Sequence, residues 1–184
     1  QKTACEMQRR LVGSEMCIRD RNNLADDFNS DEYYYDTSDA QIRMDFMENC
    51  IRLTKSPFYN QPMVLMDWQK AFIEATYSFK MSETSFDRFK RILLEIARKN
   101  TKSETCSALS LTELIVGNAG SDIVCSSNDD AQASILYDAV DVMRLLIDPD
   151  SLDTWRNQRF ISNKNNGSKL SLIHISEPTR LRCI

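Results

Sequence analysis

No stretch of this 184-residue chain is apolar for the ~18–20 residues that a membrane span needs. The best runs, Ile92–Leu94 and Leu145–Ile147, are soon interrupted by charge, so no membrane association is expected. The first residues are polar and hold no apolar h-region, and no secretory signal is expected. Six cysteines, at 5, 17, 50, 106, 125 and 183, include no CxxC pair. That removes zinc sites and thioredoxin-like motifs, and fits free thiols in a reducing cytosol. The one histidine, His174, leaves no Cys-His or Ser-His-Asp nucleophile system outside the last eleven residues. A basic excess is missing too: 23 Lys and Arg stand against 27 Asp and Glu, a net charge of −4. Composition therefore gives no global electrostatic case for nucleic-acid binding. What is present, 42% hydrophobic and 27% charged residues, fits a globular chain with one core of ordinary size.

The two ends read differently from the middle. Ser14–Arg21 is SEMCIRDR and Ser171–Leu181 is SLIHISEPTRL; both resemble peptides obtained when sequencing-adapter DNA is translated. Neither shows sustained periodicity or matched helix caps. Residues 1–21 and 171–184 are accordingly expected to be adapter-derived and are set aside from fold reasoning. The remaining core, Asn22–Leu170, has 16 basic and 23 acidic residues and is expected to be truncated at both ends.

Within the core, residues 22–41 read as an acidic, mobile arm, since Asp26–Asp39 carries six acids and no Lys or Arg around Tyr33–Tyr35. Residues 42–170 form the folded region. Ile42, Phe46, Met47, Cys50 and Ile51 make an apolar stripe at helical spacing over Ile42–Leu53. Prolines 57 and 62 fix a loop. A second amphipathic helix is predicted over Asp67–Phe79, through Trp68, Phe72, Ile73, Thr76 and Phe79. Phe89–Ala97 (FKRILLEIA) is a short apolar run that suits a buried strand or a helical turn.

Ser103–Val116 then reads as a helix, closed by Gly117 in a left-handed C-cap. Ser121–Ser126 suits a strand, and Asn128–Ile147 a long helix whose Asp129 and Asp130 favour the first-turn dipole. Pro149 stops that helix, and a strand is predicted over Arg159–Ser162 before the turn signal Asn165-Asn166-Gly167. Strand, loop, helix, strand, helix implies parallel βαβ units, hence an α/β fold with a parallel sheet and flanking helices, preceded by N-terminal helices.

In such sheets the active loops follow the carboxyl ends of strands. The loop after the first predicted strand is Arg98-Lys99-Asn100-Thr101-Lys102-Ser103, and Arg88–Lys102 holds six basic residues. A nucleoside-triphosphate site needs backbone N–H groups at a helix start, a lysine for the β/γ-phosphates and a hydroxyl for Mg²⁺. Lys102 and Ser103 supply the last two in the right order. The glycines of the full P-loop pattern are missing, with Ile96 and Thr101 in their places. On pattern alone a solvated basic loop is the default reading.

Three motifs in order carry a resemblance. Val64-Leu-Met-Asp-Trp-Gln69 with Ala71-Phe-Ile, then Arg98–Ser103, then Ile123-Val-Cys-Ser-Ser-Asn-Asp-Asp-Ala-Gln132-Ala133 resemble the N-terminal ATPase region of the large terminase subunit of tailed double-stranded-DNA bacteriophages. The resemblance runs from about Asp45 to Leu170. It implies a partial P-loop NTPase that binds ATP and Mg²⁺, with Lys102 on the β/γ-phosphates and Ser103 holding Mg²⁺ through its hydroxyl. Arg98 would neutralise charge as the γ-phosphate leaves, and Lys99, Asn100 and Thr101 would line the loop. Gln69 would hydrogen-bond the adenine edge; otherwise it is a polar residue on the exposed side of its helix. Trp68 reads as a core aromatic, and Gln132 as structural.

In the full-length protein, the resemblance implies ATP-driven translocation of double-stranded DNA into procapsids. The implied partners are a portal, a small terminase subunit and further copies in a homo-oligomeric ring, in the cytoplasm of a bacterial host. Thr101 stands where the family usually has glycine, and a positive φ there would strain a β-branched residue. No apolar run ending in Asp-Glu follows Lys102, and no nuclease carboxylate cluster is found. This polypeptide alone is therefore expected neither to hydrolyse ATP efficiently nor to cut DNA. A helicase-like P-loop ATPase and a non-enzymatic, α-rich interaction module are the alternative readings.

Overall fold

The computed structural model describes residues 31–97, 100–127, 130–157 and 160–174. In chain order the elements are β1 (Tyr33–Tyr35), α1 (Ser38–Cys50), α2 (Asp67–Tyr77), β2 (Phe79–Met81), α3 (Lys102–Val116), β3 (Asp122–Ser127), α4 (Asp130–Ile147), β4 (Thr154–Arg156), β5 (Phe160–Asn163) and β6 (Lys169–His174). They fall into two units, one within Gln1–Asp45 and Val64–Glu95, the other within Phe46–Met63 and Ile96–Ile184.

In the first unit β1 pairs antiparallel with β2, Tyr34 opposite Lys80. The acidic segment is therefore folded from residue 31 onward rather than mobile, because Tyr33 and Tyr35 have an aromatic partner: both pack on Phe79, which also meets Phe89 edge-on. Lys80 is buried between Asp39 and Asp87. Burial opposes its charge, but the hydrogen bonds to the two carboxylates win and hold its pKa above the ordinary lysine value. Tyr35 donates its hydroxyl to Glu74 on α2. The stripe that α1 buries is Ala40, Met44 and Met47, with Ile51 buried just past its end, and Ile42 is exposed; the predicted stripe is rotated from the observed one. α2 ends at Tyr77, and Phe79 belongs to β2.

Phe89–Ala97 is neither strand nor helix, which corrects the first strand of the predicted βαβ unit. A short apolar run becomes a strand only where a neighbour supplies N–H and C=O groups. Among the described residues none does so, and Leu93 is 84% exposed.

The second unit holds a four-stranded sheet in the order β3-β6-β5-β4. β3 and β6 are parallel, Ile123 opposite Leu170, as α4 in the crossover between them requires. The β5–β6 and β4–β5 pairs are antiparallel, so the sheet is mixed rather than all parallel. β6 crosses the boundary expected between residues 170 and 171, with Ser171–His174 opposite Val124–Ser127. Such pairing uses N–H and C=O groups that every non-proline residue carries, whatever its origin.

Leu111 and Leu114 of α3, Tyr137, Val140 and Met143 of α4, and Ile161 and Leu170 of the sheet are buried. Arg144, 4% exposed, bonds Asp141, Ser151 and Thr154, and Arg156 of β4 reaches Asp141 and Asp138; these pairs tie α4 to β4. Asp129 lies outside the described residues.

The far end of α3 is closed by the β5–β6 hairpin. Asn163 and Asn166 donate to the Leu114 carbonyl at 3.1 and 3.0 Å, satisfying a group with no partner inside the helix. Gly117 is not left-handed, at φ −63°. It is glycine for space, since an added Cβ would lie 2.3 Å from the Glu113 carbonyl oxygen.

Candidate nucleotide site at the start of helix α3

α3 opens on Thr101, whose φ of 53° and ψ of 15° put it in the left-handed region. Its carbonyl starts the helix by accepting the Thr105 N–H at 2.9 Å and the Thr105 hydroxyl at 3.0 Å. Its own hydroxyl turns back to the Asn100 carbonyl at 2.8 Å and caps nothing. The N–H groups of Lys102, Ser103 and Glu104 have no acceptor inside the helix, as in any first turn. No side chain takes that place at Thr101. An uncapped helix start with aligned N–H dipoles favours an anion.

Around this opening, Asn100, Thr101, Lys102 and Ser103 are all exposed. Ser103 Oγ has no hydrogen-bond partner among the described residues, while its carbonyl accepts the Ser107 hydroxyl at 2.9 Å. Glu104, in the same turn, is turned away to Thr54, accepting the backbone N–H at 3.0 Å and the hydroxyl at 3.3 Å. That contact fastens the helix start to the loop of residues 52–62. The loop is closed in turn by Leu53 N–H to the Gln61 carbonyl, 2.9 Å, and Asn60 N–H to the Leu53 carbonyl, 2.8 Å. One turn beyond Lys102, burial pushes the Cys106 thiol up, and the Lys102 ammonium pulls it the other way.

The donor set suits a phosphate chain: one ammonium, one hydroxyl and a row of free-facing N–H groups. It supplies one ligand atom for a Mg²⁺, which commonly takes its remaining positions from phosphate oxygens and water. Among the described residues no group of three or more His, Cys, Asp or Glu could hold a metal by itself.

The structure thus brings Asn100, Thr101, Lys102 and Ser103 together. Arg98, Lys99 and the Gln132 side chain lie outside what is described. Gln69 belongs to the other unit. It is 1% exposed, not on the exposed side of α2, and its Oε1 accepts the Met66 N–H at 2.7 Å. It sits at the third position of α2 because a glutamine there reaches back to the helix start. Trp68 is half-buried rather than in the core. Sequence reasoning missed the Glu104–Thr54 clasp, whose only signal was an acid in a first turn, and the caps from Asn163 and Asn166.

Comparison with known proteins adds two findings. A family model for the ATPase domain of the terminase large subunit matches residues 67–170. The fold is similar to the crystal structure of the HK97 bacteriophage large terminase, with a TM-score of 0.62 and 20% identity, over 76% of this chain and 28% of that one. The chain therefore spans little more than a quarter of that protein's length. No curated protein sequence matches.

Proposed function

The chain belongs to the terminase large-subunit ATPase family, and from that premise we propose that the start of α3 is its ATP site. Lys102 reaches the β/γ-phosphates, the first N–H groups of α3 cradle the phosphate oxygens, and Ser103 contributes its hydroxyl to Mg²⁺. Asn100 and Thr101 shape the loop, and Arg98 and Lys99 add positive charge to it. In the full-length protein, ATP hydrolysis drives double-stranded DNA into a procapsid. The subunits form a ring on the portal, joined by a small terminase subunit, in the cytoplasm of the bacterial host.

The observation that carries the reading is the uncapped first turn of α3, flanked by exposed Lys102 and Ser103, inside the residues that match the family. Hydrogen exchange with and without Mg-ATP tests it. ATP should protect the amides of residues 100–104, and Lys102→Ala should weaken binding at least about tenfold, the worth of one charge-assisted hydrogen bond. The melting temperature should not move, because Lys102 is exposed. Equal protection in the variant would overturn the assignment.

A further inference from the structure

Two helix starts in this chain use their third residue in opposite ways. On α2 that residue is Gln69, and its Oε1 turns back to accept the N–H of Met66, just before the helix, at 2.7 Å. A glutamate at the same position makes the same return, and its charge is favoured further by the helix dipole. On α3 the third residue is Glu104, and it turns elsewhere. Its Oε1 accepts the Thr54 N–H at 3.0 Å and the Thr54 hydroxyl at 3.3 Å. Thr54 is held in place by a closed loop, with Arg52 bridged to Pro62 and Leu53 hydrogen-bonded to Asn60 and Gln61. The loop and α3 lie in the same unit. From the third position a side-chain rotation alone brings a carboxylate to the first turn, so the Thr54 contact is what keeps Glu104 away from it.

We propose that Glu104 is a built-in competitor for the anion at the start of α3, and that Thr54 is the positioning residue that holds it off. The inference rests on the nucleotide reading above. The N–H groups that cradle phosphate are the ones a returning glutamate takes, and a phosphate chain and a carboxylate cannot share them. With Thr54 engaged, the first turn offers its N–H groups and the positive end of its dipole to ATP. With Thr54 disengaged, Glu104 fills those donors and sets a like charge against the phosphates. The loop of residues 52–62 thereby governs the anion affinity of a helix that it grips through one oxygen. Pulling the loop from α3 favours release of ATP. By reciprocity, ATP excludes Glu104 from the first turn and so favours the clasp.

The test measures Mg-ATP affinity of the full chain as wild type, Thr54→Pro, Glu104→Ala and the double variant. Thr54→Pro removes the N–H and the hydroxyl together, and affinity should fall about three- to tenfold, the effect of one carboxylate at a helix N-terminus. Glu104→Ala breaks the same clasp but removes the competitor, so it should bind ATP as tightly as wild type. In the double variant it should restore the affinity that Thr54→Pro lost. Equal losses in both single variants with no recovery in the double one, the pattern of a clasp that only props the helix, would overturn the proposal. Hydrogen exchange without nucleotide reads the swing itself. In Thr54→Pro the amides of residues 101–103 should exchange more slowly than in wild type, while those of 53, 60 and 61 exchange faster; no slowing at 101–103 would overturn it. Thr54→Val loses only the hydroxyl and should shift both readouts the same way by less. It carries the test if the proline variant folds poorly, and no shift in it then counts against the proposal. If the wild type binds no Mg-ATP, that failure belongs to the nucleotide assignment, and the exchange at 101–103 still decides whether Glu104 takes the helix start.

Discussion

Glu104 and Thr54, fifty residues apart in sequence, meet through one carboxylate oxygen that accepts both the Thr54 backbone N–H and its hydroxyl. The acid that ordinary helix-dipole reasoning assigns to the first turn is thereby spent on a neighbouring loop. The positive end of α3 is left to Lys102 and the backbone. Glu104→Ala should cost about 1.5–3 kcal/mol, the worth of a hydrogen bond to a charged group. Amide exchange should quicken at residues 53, 54, 60 and 61, with Glu104→Gln milder because it keeps an acceptor. Equal effects of the two substitutions would show that the clasp does not depend on the oxygen.

Thr101 holds a left-handed conformation that a β-branched residue adopts at a cost of about 1–2 kcal/mol. Thr101→Gly removes that strain but adds backbone freedom to the unfolded chain, worth about 0.5–1 kcal/mol. The melting temperature should therefore rise slightly. Since the backbone already has the shape that glycine allows, Mg-ATP affinity should change little. A large gain in affinity would mean that Thr101 distorts the loop rather than merely straining it.

Asp148 accepts the N–H groups of Leu152, Asp153 and Thr154 and the Thr154 hydroxyl, at 2.8 to 3.1 Å. Burial works against its charge, but those donors hold its carboxyl below the usual carboxylate range. A lowered folded pKa gives stability that is present above the unfolded value, about 3.9, and is lost as pH falls through the folded one. Asp148→Asn should lower stability at neutral pH by about 1–3 kcal/mol. It should also flatten the acid limb of the unfolding curve below about pH 4. An unaltered acid limb would count against this turn as a source of acid sensitivity.

Asn163 is buried, and its amide reaches the Leu114 carbonyl. Asn163→Ala should destabilise the protein by about 1–3 kcal/mol, the cost of a buried acceptor losing a partner. The loss should stay at the lower end because Asn166 donates to the same oxygen. The double variant should lose more than the sum of the single ones, measured by denaturant unfolding.

Helices α2, α3 and α4 and strand β3 were legible because long 3.6-residue periodicity, a compact apolar run between polar residues and a following proline each leave a local mark. β1, β2 and β4, at three residues each, are too short to show a period, and their pairing depends on chain neighbours far away. The same reason hid the stripe on α1: Ile42 matches a helical face as well as Ala40 does, and only tertiary packing chose between them. At the site, Lys102 and Ser103 were readable as residue types at a helix start. That Asn163 and Asn166 cap α3 is a contact between elements that no spacing encodes, whereas the turn of the Gln69 oxygen to Met66 is a local capping contact that its third-position spacing does encode.

The asparagine seal on α3 also ranks the surface turns for grafting. An epitope or fluorophore inserted between Lys164 and Gly167 would pull both amides off the Leu114 oxygen and loosen the helix from behind. The same insertion at the tip between Pro57 and Asn60 leaves the Leu53–Gln61 rung and the Thr54 anchor in place, so that tip is where a reporter group belongs.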